Sequence, residues 1–316
     1  MKSIKIPLSV PGGKKSAYLK NFRRLTNGSG NLLLIAGDQK VEHLNNDFYG
    51  PGISPEDKNP EHLFRIAAAS QGGVLAAHPG LISRYGQDYR SLPYIIKLNG
   101  KTNIGEGEKN SSKVWWKVED VVKFKKQSDL NIVAIGYTLY LGGIYEAKML
   151  RAAAKAIFEA HQAGLLAVLW VYPRGQDIKE EDIHIIAGGA GVAAALDADF
   201  VKIKYPYNLK DKKATALKFQ EAVEAAGRTK VICVGGDKRP VKEILEHLEG
   251  QINISKAAGM AIGRNLHQRP LEEATRLNAA LGAIIFHGKN AKEALAIYNT
   301  KLNLRIKHSS RLLGLF

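Results

Sequence analysis

Lys202 and Lys204 lie one residue apart in Ala198-Asp199-Phe200-Val201-Lys202-Ile203-Lys204-Tyr205-Pro206, a setting in which an amine can do chemistry. The stretch is β-branched at Val201 and Ile203 and closed by a proline, so it reads as a short strand. Side-chain alternation puts Phe200, Lys202 and Lys204 on one face and Val201, Ile203 and Tyr205 on the other. An amine held in an apolar pocket gives up its proton readily, and the neutral form attacks a carbonyl to make a Schiff base. The plainer alternative is an edge strand with two solvated lysines. Lys97 points inward on the same logic if Ile96 and Leu98 point out, which makes it a second candidate for the imine or for a phosphate contact.

These residues need elements to hold them. Strand-like runs occur at residues 32–36, 74–77, 94–98, 132–135, 166–171, 200–204, 231–234 and 260–262. Segments of helical spacing lie between them at 60–70, 118–126, 145–163, 182–196, 214–226, 240–249 and 270–281, with prolines at starts and glycines at stops. Short apolar strands alternating with helices predict an α/β protein, a closed (β/α)8 TIM barrel. A doubly wound sheet would carry a glycine-rich turn after the first strand, and Gly37-Asp38-Gln39-Lys40 is not one. The expected organisation is an N-terminal arm with one short helix over 1–30, the barrel over 31–288, and a helix with a basic tail over 289–316. Two long loops, 45–59 and 100–113, leave the carboxyl ends of strands and are candidates for lids or substrate walls.

In a barrel, the strand ends gather at one mouth. That ring contains Asp38, His78, Lys97 with Asn99, Tyr137-Thr138, the pair Trp170 and Tyr172 on one face, Arg174, and Lys202 with Lys204. It is completed by Gly235-Gly236-Asp237-Lys238 and Gly263-Arg264-Asn265. Glycines after strands seven and eight let backbone N–H groups approach a phosphate, and Lys238 and Arg264 can add charge. His43 and His78 read as structural histidines. No metal is expected, because no His-x-His or His-Glu-x-x-His spacing occurs.

The chain has 316 residues, 45% hydrophobic and 24% charged, with a net charge of +16 and a pI near 9.7. Its lysines are scattered rather than interleaved with aromatics on one element, which argues against nucleic acid and for steering of an anionic small substrate such as a sugar phosphate. No apolar run approaches a membrane span and no signal-peptide core is present. The single cysteine, Cys233, excludes a disulfide framework and reads as a small buried hydrophobe. A cytoplasmic location is expected.

Several motifs occur in family order: Gly-Asp38-Gln-Lys-Val-Glu-His43, Lys97-Leu-Asn-Gly-Lys-Thr102, Gly136-Tyr-Thr-Leu-Tyr140, Trp170-Val-Tyr-Pro-Arg-Gly175, Ala198-Asp-Phe-Val-Lys202 and Gly263-Arg-Asn265. Together they resemble the archaeal-type class I fructose-1,6-bisphosphate aldolases of the deoxyribose-phosphate-aldolase-like superfamily, over residues 31 to 288. The resemblance implies a cofactor-free, metal-independent carbon–carbon lyase of glycolysis and gluconeogenesis. It implies Lys202 as the Schiff-base lysine, Tyr172 as the proton-transferring group, Asp38 as an active-site carboxylate and Trp170 as a substrate-positioning aromatic. It also suggests a homo-oligomer. Arg174, Lys204, Lys97, Gly235, Gly236, Lys238, Gly263 and Arg264 are the expected substrate contacts.

One departure stands out: the family has Asp-His-Gly where this chain has Asp38-Gln39-Lys40. The motifs also suit a transaldolase-like enzyme of aromatic amino-acid precursor synthesis. From other classes, a non-catalytic barrel that binds sugar phosphates or nucleic acid is the alternative. Within the imine reading, Lys204 is expected to lower the pKa of Lys202 by like-charge repulsion.

Overall fold

The eight strands form and close on one another. The computed structural model describes residues 4–70, 72–104, 110–207 and 211–300. Its barrel strands are β1 (Leu32–Ala36), β2 (Val74–Ala77), β3 (Tyr94–Lys97), β4 (Ile132–Leu141), β5 (Leu166–Pro173), β6 (Phe200–Ile203), β7 (Lys230–Val234) and β8 (Gly259–Ile262). All neighbours are parallel, and Leu32 to Ile35 pair with Gly259 to Ile262 to complete the ring. That closure needs a glycine. Gly259 has φ +138°, and a Cβ there would lie 1.9 Å from the Leu32 carbonyl oxygen.

Alternation divides the core in two. Leu32, Leu34, Val74, Ile95, Val168, Phe200 and Ile232 fill the barrel interior. Leu33, Ile35, Ile96, Val201, Ile203 and Cys233 pack outward under the helices, where Cys233 is buried as expected. Strands β4 and β5 run further than the apolar pattern indicates, because each continues to pair with the other: Tyr140 pairs with Tyr172, and Leu141 with Pro173. Aromatic side chains extend the ladder there without lengthening the aliphatic run.

The helices follow the expected order, with additional ones at Gln39–Glu42, Pro79–Tyr85 and Arg264–His267. The 45–59 loop is tied down. Its short 3-10 turn, Pro55–Lys58, places the buried Asp57 carboxylate 2.7 Å from His267. The 100–113 loop begins with a ladder between Asn99–Gly100 and Lys113–Val114, and residues 105–109 lie outside the described residues. Helix Ala291–Asn299 packs on helices Val241–Asn253 and Leu271–His287, and the tail from 301 lies outside the described residues. Among the described residues, no helix is long and apolar enough to cross a membrane.

The N-terminal arm is part of the barrel. Val10 and, from helix Lys15–Leu25, Tyr18, Phe22 and Leu25 join the interior cluster from below. A polar clasp locks them there. Asp199, at the entry to β6, accepts from the Tyr18 hydroxyl, from the Ala167 N–H at 2.8 Å and from His161 Nε2 at 3.1 Å. His161 Nδ1 is 2.8 Å from Ser9 Oγ, which itself donates to Asp197. Burial pulls the His161 pKa down, but its hydrogen bonds and charge pairing with Asp199 and Asp197 outweigh this and hold it above the usual 6.5. The charged imidazolium therefore stabilises the folded chain fully below the unfolded value, and this contribution is lost as the pH rises through the folded one. The stability gap between the native chain and His161→Gln, measured by urea unfolding from about pH 6 to 9, should start near 1–3 kcal/mol and shrink with rising pH. A gap independent of pH would mean that His161 is neutral in the clasp.

Candidate active site

The site sits at the carboxyl ends of the strands and is built around Trp170. Ile95 and Phe200 face the barrel interior, so Lys97 and Lys202, two residues on, face it too. Lys97 Nζ lies 4.3 Å from the centroid of the Trp170 ring and Lys202 Nζ lies 5.2 Å from it. The indole thus serves as a floor shared by two amines, whose charge its face attracts. Both lysines are buried, at 0% and 6% exposure, which separates them from every solvated lysine of the chain.

Asp38 is the counter-charge. It is 2% exposed, stands two residues past the end of β1, and its Oδ2 is 3.7 Å from Lys97 Nζ. The side chain makes no cap to the short helix Gln39–Glu42 that it precedes, and its Oδ1 has no partner. Burial alone would raise its pKa, but Lys202, Lys97 and His78 together hold it below the usual carboxylate range. The amines shift the other way. Burial lowers the pKa of Lys202, opposed by Asp38 and Glu42 and assisted by Arg264. Burial likewise lowers Lys97, against the same two carboxylates and with Lys202 adding to it.

Their hydrogen bonding distinguishes the two lysines. Lys97 Nζ donates to Thr138 Oγ1 at 2.5 Å, besides facing Asp38. Among the described residues, no group hydrogen-bonds Lys202 Nζ, so its lone pair, once the proton is gone, is unobstructed. Tyr172 stands two residues beyond Trp170 on β5, stacked on Tyr140 at 5.9 Å. Burial, then Glu42 and Asp38, push its pKa up, so the phenol stays protonated.

Lys204 is not part of this constellation. Its amine turns out to Glu180 at 3.5 Å and Glu181 at 3.3 Å. The expectation that it depresses Lys202 gives way to burial and Arg264, because the strand ends at Ile203 and alternation no longer aims the next side chain. Arg174 lies over Tyr172, 4.7 Å from its centroid, and pairs with Glu180. Lys238 donates to the Gly52 carbonyl at 2.7 Å and holds the 45–59 loop. Arg264 pairs with Asp237 at 2.7 Å. Gly235 and Gly236 form the turn after β7, with Gly236 at φ +66°.

Sequence reasoning gave no role to two of the residues it quoted. Asn265 Nδ2 donates to the carbonyls of Gly235, Gly236 and Asp237, fixing the post-β7 turn to the post-β8 turn. Glu42 is the other. Its Oε1 is buried without a partner, and burial and then Asp38 raise its pKa more than the lysines lower it. The i, i+4 spacing of Asp38 and Glu42 on a helical turn was the available signal. The unusual Gln39 also finds a place: its Oε1 meets His267 Nε2 at 3.3 Å and occupies the space a Cβ on Gly263 would take.

Residues 32–269 match the family model described as DeoC/LacD family aldolase. The chain belongs to the DeoC/LacD aldolase family. It is a carbon–carbon lyase, as its motifs implied. The aldolase is 48% identical over 298 residues to the fructose-bisphosphate aldolase/6-deoxy-5-ketofructose 1-phosphate synthase of Methanocaldococcus jannaschii, covering 94% of this chain and 95% of that one. Its fold is similar to that of the fructose-bisphosphate aldolase from Slackia heliotrinireducens, with a TM-score of 0.90, 42% identity and 97% of both chains covered. A structure described as showing reaction intermediates of the Schiff base forming fructose-1,6-bisphosphate aldolase matches with a TM-score of 0.72 and 32% identity, covering 85% of the aldolase and 100% of that chain.

The Trp170 floor depends on Gly136 of β4. A Cβ there would meet Trp170 at 2.7 and 2.9 Å and Lys97 Cδ at 3.1 Å. Gly136→Ala should therefore leave the barrel folded, with unchanged far-ultraviolet circular dichroism. Displacing indole and amine together should lower aldol cleavage about 10²-fold, the scale of a 1 Å misplacement. Full activity in this variant would show that the floor position is not critical.

Proposed function

We propose that Lys202 is the imine-forming lysine and that the aldolase cleaves and forms fructose 1,6-bisphosphate. The observation that carries the assignment is the unpartnered, buried Lys202 amine beside a Lys97 already committed to Thr138 and Asp38. In this reading the neutral amine of Lys202 adds to the C2 carbonyl of the open-chain sugar, and loss of water leaves a protonated imine. Asp38, ionised, removes the C4 hydroxyl proton. The C3–C4 bond breaks, its electrons pass into the imine, and glyceraldehyde 3-phosphate departs. The Tyr172 phenol then protonates C3 of the enamine, and water releases dihydroxyacetone phosphate and the free amine.

Glu42 complements Asp38. Two neighbouring carboxyl groups whose environments drive their pKa values apart divide the work, one ionised as base and one protonated as donor. We assign Glu42 the donor role toward the hydroxyl that leaves as water when the imine forms. The glycine turns after β7 and β8, with Arg264, are assigned to a phosphate, and Trp170 and Arg174 to positioning the sugar. A cytoplasmic homo-oligomer is part of this reading.

A second reading is favoured by the name of the 48%-identical relative. A 6-deoxy-5-ketofructose 1-phosphate retains the three carbons of dihydroxyacetone phosphate, joined to 2-oxopropanal in place of glyceraldehyde 3-phosphate. The same Lys202 enamine, formed from fructose 1,6-bisphosphate, would add to that aldehyde. Nothing in the Lys202, Asp38 and Tyr172 chemistry changes; only the acceptor does.

Borohydride reduction in the presence of dihydroxyacetone phosphate and excess EDTA should add its mass to the peptide holding Lys202, and Lys202→Met should abolish the adduct. In Asp38→Asn, loss of the opposing charge lets the Lys202 pKa fall further, so labelling should extend to lower pH. An adduct mapped to Lys97, or labelling that requires a metal, would overturn the assignment. When fructose 1,6-bisphosphate and 2-oxopropanal are supplied together, mass spectrometry should detect the six-carbon deoxyketose phosphate. Release of the two triose phosphates alone would exclude the second reading.

A further inference from the structure

A groove of about 840 Å³ opens on the floor of the barrel, at the amino ends of the strands and opposite the Lys202 mouth. It lies between helix Lys15–Leu25, the segments leading into β3 and β4, and the end of helix Val118–Ser128. Lys20, Arg24, Arg90, Lys125 and Lys126 line it, with Asp129 as the one carboxylate. Among the described residues, none of the five cations is in an ion pair. Their hydrogen bonds go to neutral acceptors: Arg24 to Asn131 Oδ1 at 2.8 Å, Arg90 to the Ser128 carbonyl at 3.1 Å and Lys125 to the Ile132 carbonyl.

Those bonds fix the cations in place and leave donors over, since a guanidinium has five N–H groups. The crowding has a cost. Burial, then Arg24 and Lys20, lower the Lys125 pKa to about 8. Apolar side chains, Val122, Leu130 and Leu165, form part of the lining, so an anion held here would be partly shielded from water. This volume is within the usual range of small-molecule sites.

We propose that this groove binds a small polyanion carrying two or more phosphate groups, at a site separate from the substrate mouth. The cations come from three separate segments of the chain, so one phosphate reaches only some of them, whereas a chain of phosphates bridges the set. The shared chemistry fits both an inorganic polyphosphate and the phosphate tail of a nucleotide. The proposal is independent of the imine assignment, because none of its residues approaches Lys202.

The test is calorimetric titration with inorganic triphosphate, and in parallel with ATP, at fixed ionic strength. The native chain should bind triphosphate saturably. Lys20→Ser/Lys126→Ser removes two exposed side chains that make no hydrogen bond in the fold, so the barrel is not at risk. That variant should lose about tenfold or more in affinity, the scale of one or two charged hydrogen bonds, while aldol cleavage stays unchanged. Arg264→Ser, at the mouth, should bind triphosphate as the native chain does. ATP binding more tightly than triphosphate identifies the nucleotide as the fitting source, and equal affinity identifies the phosphate chain alone. Either result supports the site. Undiminished binding by the double lysine variant, loss of binding in Arg264→Ser, or no saturable binding would overturn it.

Discussion

Two amines buried around one indole, balanced by one ionised carboxylate, set the terms for everything else at the mouth of this barrel. A buried ammonium without a partner is costly, and two within reach of the same Trp170 ring are more so. The conflict is resolved unequally. Lys97 takes the Thr138 hydroxyl and the Asp38 carboxylate, and so has means to remain charged. Lys202 is left with the ring and the field of the carboxylates, and burial lowers its pKa. The asymmetry between two lysines of similar burial is therefore a matter of hydrogen bonding rather than depth.

The same strand serves both ends of the barrel. Asp199 enters β6 on the floor, where it binds Tyr18, Ala167 and His161. Lys202 leaves it at the mouth. Lys202 is there the neighbour in register of Trp170 on β5. The N-terminal arm thus closes the interior with apolar side chains and anchors the strand that carries Lys202.

Positioning at the far side of the mouth is done by side chains that bridge backbones. Asn265 ties the β7 and β8 turns together, His267 joins Asp57 to Gln39, and Lys238 holds the carbonyl of Gly52. Several polar residues that sequence inspection would offer to a substrate are therefore fastening loops. Their contribution is the fixed shape of the glycine turns, whose N–H groups can then meet a phosphate without reorganising.

The sequence by itself determined the closed parallel barrel, because eight short apolar runs alternating with helices have few other ways to bury both faces. It also determined which face of β3, β5 and β6 looks inward, since strand alternation leaves no choice once Ile95 and Phe200 are core, and that placed Lys97, Trp170 and Lys202 together. Alternation failed where strands end. Lys204 has the parity of Lys202, yet it lies one residue past Ile203 and turns to Glu180 and Glu181. Only the tertiary structure decided this, and only it brought Glu42 over the lysines, because a four-residue helix leaves too little periodic pattern to aim a side chain. The reach of β4 and β5 was likewise decided by the partner strand, through pairings that no single segment encodes. The clasp of Ser9, Tyr18, His161, Asp197 and Asp199 joins residues up to 188 positions apart in the chain. Such contacts arise from barrel closure, which is a property of the whole chain.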